Sequence, residues 1–60
     1  MIRFKIVITF RDDTTRSFDA RNFPQFLADH IEIEKDEDNY EYIPKEAVSR
    51  IKVKRYWKQK

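Results

Sequence analysis

Sixty residues with 40% Asp, Glu, Lys and Arg, no Cys, no Gly and one His, His30, make a single small domain that must fold without a disulfide or a structural zinc. A chain this short buries only about 60% of the surface its unfolded form exposes, so its stability margin is thin. Five Phe, three Tyr and one Trp argue against the disorder that the charge content alone would suggest, and no apolar run nears the ~18 residues of a membrane span.

The first element is the clearest. Ile2, Phe4, Ile6, Ile8 and Phe10 alternate with Arg3, Lys5, Val7 and Thr9, a period of two that predicts a strand with five large apolar groups on one face. Asp12 and Asp13 interrupt it, and residues 14–18 resume strand composition with Phe18 as the core residue. A hairpin turning near 11–14 follows. In a chain without glycine, any turn that needs a positive φ must use Asp or Asn.

The period then changes. Phe23, Phe26, Leu27, His30 and Ile31 fall at i, i+3, i+4, i+7 and i+8, the face of a helix. Asn22 supplies a cap, Pro24 suits a first turn and Gln25 completes a capping box, so a short helix is predicted over about 23–30. Residues 31–34 and 40–43 both have strand character, either as a second hairpin or with the first as the exit from the helix. Pro44 ends the second, 45–48 reads as one helical turn with Val48 returning to the core, and 49–57 form the last strand. Ile51 and Val53 point inward there, and Arg50, Lys52, Lys54 and Tyr56 outward.

The expected fold is a small single α+β domain over residues 1–60. Its sheet is mainly antiparallel, with four or five strands in the order β-β-α-(β)-β-turn-β, one short helix packed on it, and a basic tail from about 57. The passage from strand through short turn into a last strand resembles the closing part of SH3-like and Sm-like barrels. That resemblance covers about 17 residues and implies a fold alone. The helix expected between the early and late strands departs from the usual barrel layout.

Catalytic equipment is sparse. The chain has no glycine-rich phosphate loop, no Cys and no Ser or Thr in a nucleophile motif, so a non-enzyme is expected, with no cofactor and no small-molecule substrate. His30 reads as a boundary residue near a helix C-terminus. Asp36 and Asp38 lack the glycine and the distal Glu of a calcium loop and read as a solvated turn.

Charge is segregated along the chain. Residues 29–41 hold seven acids against Lys35, a net −6, and residues 45–60 hold seven bases against Glu46, a net +6. If the terminal strands lie side by side, Arg3 and Lys5 join Arg50, Lys52, Lys54 and Tyr56 in one basic patch. Arg55 and Trp57 complete the candidate partner-binding or nucleic-acid-binding set. Alternation puts Trp57 on the inward side, where partial burial is expected; the alternative is an exposed tail position as a protein-binding anchor.

Two functions fit. The first is a small regulatory or adaptor domain binding another protein or itself, the acidic segment of one copy suiting the basic strand of another. The alternative is sequence-nonspecific nucleic-acid binding through the basic face. The alternating N-terminal residues lack the unbroken apolar stretch of a secretory signal, and a Cys-free chain fits a reducing compartment, so a cytoplasmic location is expected, with no membrane partner.

Overall fold

The computed structural model describes residues 1–59. It is a small α+β domain of two antiparallel sheets whose helical content is a single 3-10 turn. Strands β1 (Ile2–Phe10), β2 (Thr15–Ala20) and β6 (Val48–Trp57) form sheet A in the order β2-β1-β6. Strands β3 (Gln25–Phe26), β4 (His30–Asp36) and β5 (Asn39–Pro44) form sheet B in the order β3-β4-β5. The 3-10 turn, Lys45–Ala47, links the sheets.

The first turn solves the missing-glycine problem as composition demands. Asp13 takes φ 71°, and the Asp12 carboxylate accepts from the Thr14 amide at 3.0 Å and from its hydroxyl at 2.6 Å. A β-branched side chain fits badly at that φ, so Asp13→Val should destabilise by about 1–2 kcal/mol while Asp13→Gly is tolerated. Thermal melts of the two variants check the contrast, and equal losses would contradict it.

Ile6, Ile8, Phe18 and Ala20 of sheet A meet Ile31, Ile33 and Ile43 of sheet B in the core, with Phe4, Phe10, Val48, Ile51 and Val53 half-buried around them. One backbone hydrogen bond ties the sheets together, and two others extend the β4–β5 and β1–β6 ladders at their ends. The Arg21 amide donates to the Glu34 carbonyl at 3.0 Å, the Lys45 amide to Asp29 at 3.0 Å and the Arg11 amide to Ala47 at 3.0 Å.

The predicted helix at 23–30 is not there. Gln25 and Phe26 pair with Glu32 and Ile31 as strand β3, and the Leu27 amide donates to the His30 carbonyl to turn the chain into β4. Pro24 is buried, and a proline pushes the residue before it, Phe23, away from helical geometry. Asn22 caps nothing: its side-chain amide donates to Glu34 Oε1 at 2.7 Å. The helix-like spacing arose because Phe23 reaches sideways to Phe4 while Ile31 drops into the core.

Residues 31–34 belong to the second hairpin, and the predicted turn at 45–48 is the 3-10 element. Four or five strands in one sheet become six in two. The chain changes sheets between β2 and β3, then returns through the 3-10 turn to pair its last strand with its first. Lys60 of the basic tail lies outside the described residues. Lys58 is stapled to the sheet, its amide donating to the Met1 carbonyl at 2.8 Å.

Candidate binding surfaces

The register of sheet A places its outward side chains in rows. Thr15, Thr9 and Arg50 form one row, Ser17, Val7 and Lys52 the next, then Asp19, Lys5 and Lys54, and at the end Arg3 beside Tyr56. The terminal strands do lie side by side. Lys5 stands directly opposite Lys54, a cross-strand like-charge pair that costs stability. Among the described residues, Lys5, Arg50, Lys52 and Lys54 have no ion-pair partner.

Arg3 differs. Its Nε donates to Asp19 Oδ1 at 2.7 Å and its Nη2 to the Lys35 carbonyl at 3.3 Å, leaving the side chain only 13% exposed. It latches β1 to β2 and to the end of β4. The Tyr56 hydroxyl also donates to Asp19. That hydrogen bond, then the one from Arg3, holds the Asp19 carboxyl below the usual range, and the same bond raises the Tyr56 phenol. The outward cationic surface is therefore Lys5, Arg50, Lys52 and Lys54, with Arg3 and Tyr56 occupied at its end.

A pH consequence follows from Asp19. Its folded pKa lies below the unfolded one, so its contribution is whole at neutral pH and is lost as pH falls below about 4 through the folded value. Wild type should exceed Asp19→Asn in urea midpoint at pH 7, and the gap should shrink at pH 2.5. A gap independent of pH would contradict the latch.

Arg55 and Trp57 belong to the other side of β6. Arg55 stands opposite Phe4 and Trp57 opposite Ile2, on the face that carries the core. Yet Trp57 is 67% exposed. The expected partial burial fails because β6 runs on past the region that sheet B covers. Ile2, opposite Trp57, is 47% exposed, and Phe23 and Phe26, before and within the edge strand β3, are 57% and 48% exposed. Phe4 meets Phe23 edge-on at 5.9 Å between ring centroids, and Phe23 meets Phe26 at 6.4 Å. Trp57, Ile2, Phe4, Phe23 and Phe26 thus form one continuous apolar strip. The helix reading hid its Phe members; the local signal against that reading was Pro24.

The outward face of sheet B is acidic. Glu32 and Glu34 of β4 stand beside Gln25, Tyr42 and Tyr40, whose rings stack at 6.4 Å and 12°. Arg21 pairs with Glu34 at 3.2 Å. His30 opens β4 with no helix behind it, so the dipole reading lapses. Its ring lies edge-on to Tyr42 at 5.7 Å, and its Nδ1 sits 2.7 Å from Asp29 Oδ1, a contact that lowers the Asp29 pKa.

No family model matches this chain, and no curated protein or solved structure matches it either. What the surface can do is therefore read from its chemistry. Because the two sheets pack face to face through the core, the basic and acidic outward faces point apart, and the apolar strip runs between them at one end. Among the described residues no three His, Asp or Glu side chains converge as metal ligands, and no helix is long and apolar enough to cross a membrane.

Proposed function

We propose that this chain is a small, non-enzymatic regulatory or adaptor domain that binds another protein in the cytoplasm. The supporting observation is the apolar strip in which exposed Ile2, Phe23, Phe26 and Trp57 surround half-buried Phe4. An aromatic side chain offers roughly 150–250 Å², so Trp57, Phe23 and Phe26 at half to two-thirds exposure present on the order of 300 Å². That is the size of patch that on a monomer often serves binding. Trp and Arg are also the favoured anchors of protein interfaces, and Arg55 flanks Trp57 on this face.

The test is affinity capture with wild type and with the double variant Trp57→Ala, Phe23→Ser, with and without nuclease. Both positions are largely solvated, so the variant should keep its fold. The expected result is a partner captured by wild type, lost with the variant and indifferent to nuclease. Capture unchanged by the variant would overturn the reading. Light scattering at low and high salt tells whether the partner is a second copy.

A second reading, nucleic-acid binding by the outward face of sheet A, is favoured by one specific observation. Lys5, Arg50, Lys52 and Lys54 carry uncompensated charge on one surface while Glu32 and Glu34 point the other way. The acidic segment therefore does not repel a phosphate chain from this face. No retention of single- or double-stranded DNA or RNA at low salt would remove this reading.

A further inference from the structure

Strand β6 pairs only with β1, and its other edge carries no backbone hydrogen bond among the described residues. Ten residues long, it is an extended row of unpaired donors and acceptors. Its two faces differ in chemistry. Toward the core side it offers Ile51 and Val53, both only half-buried although Ile6 and Ile8 beside them are fully enclosed, and then Trp57. Toward the outside it offers Arg50, Lys52 and Lys54 at every second position, a repeat of about 6.7 Å.

A strand laid along this edge would put alternate side chains against each of these rows. A second β6 is disfavoured as occupant, because its cations would stand opposite Arg50, Lys52 and Lys54 and repeat along a whole row the repulsion that Lys5 and Lys54 already carry. The complement is a strand whose alternate residues are apolar and acidic. We propose that the free edge of β6 takes an extended segment of a partner protein in which apolar and acidic residues alternate, adding a fourth strand to sheet A. This rests on the protein-binding reading above. It says how such a partner is held: main-chain hydrogen bonds supply affinity, while the Ile51, Val53 and Trp57 row and the Lys row select the sequence. The bare lysine edge, which discourages indiscriminate strand pairing, thereby becomes a filter that admits acidic strands.

The probe is an acetylated, amidated seven-residue peptide alternating Glu and Val. Trp57 is the only tryptophan, so its emission reports binding directly. The expected result is a saturable blue shift with the alternating peptide, absent with a peptide of the same composition in blocked order, and abolished when alternate backbone amides are N-methylated. These comparisons need wild type alone. Lys52→Glu with Lys54→Glu should weaken the alternating Glu–Val peptide by about tenfold or more and gain affinity for an alternating Lys–Val peptide. Equal binding of the blocked peptide, or binding that survives N-methylation, would overturn the proposal. Capture that depends on Trp57 and Phe23 while the alternating peptide fails would sink edge pairing and leave the adaptor reading standing. Capture independent of those residues would sink the adaptor reading itself.

Discussion

Truncating Ile33 to Ala is expected to leave the chain largely unfolded at room temperature. Ile33 is fully buried at the centre of β4, with core neighbours from both sheets. Deleting its branched side chain costs about 2–5 kcal/mol through lost transfer energy and the cavity left behind. A core of this size supplies only about 3–5 kcal/mol in total. The two figures are comparable, so one substitution consumes the margin. Ile51→Ala on the half-buried edge strand should cost roughly half as much and leave a folded protein. Circular dichroism melts with urea titration distinguish the two. A folded Ile33→Ala protein with a loss below about 1 kcal/mol would place the core elsewhere.

If the outward face of sheet A holds a polyanion, the joint substitution Lys52→Glu, Lys54→Glu is expected to weaken that binding strongly while sparing the fold. The reason for the second half lies in the register. Lys54 faces Lys5 directly, so a Glu there converts a repulsive cross-strand pair into an attractive one, worth about 0.2–1 kcal/mol per pair. The variant should melt at or slightly above wild type. Its affinity for a single-stranded oligonucleotide should fall on the order of 100-fold at low salt. The slope of log affinity against log salt should flatten by about 1.4, or 0.7 for each lost phosphate contact. Stability and binding moving in opposite directions would separate a functional cationic face from a merely solubilising one. An unchanged affinity would remove the nucleic-acid reading and leave the protein-binding one.

How much of this could be read from the sequence depended on what kind of statement was at stake. Strict alternation in 2–10 and 49–57 carried both terminal strands and their faces, because side-chain parity in a strand has a single solution once one face is buried. Their lying side by side entered only as a condition, since parity does not name a strand's neighbour. The same parity put Trp57 on the correct side but not at the correct depth. Depth depends on where sheet B stops, which no residue of β6 encodes. Arg3 likewise read as a surface cation, since its strand position gives a face and not the Asp19 that β2 brings alongside. The stretch 23–31 misled because four apolar residues and His30 at helical spacing were answering different demands. Phe23 meets Phe4, Phe26 closes the end of β3, and Ile31 enters the core. Tertiary pairing outweighed periodicity, and the apolar strip went unseen with it.

Acrylamide quenching of the lone tryptophan in the monomeric protein tests most directly whether the overhanging end of sheet A is bare. Red-shifted emission and quenching close to that of free indole are expected, both reduced once a partner occupies the strip. Blue-shifted, shielded emission from a chain that light scattering shows to be monomeric would mean the strip is already covered, and the protein-binding reading would lose its basis.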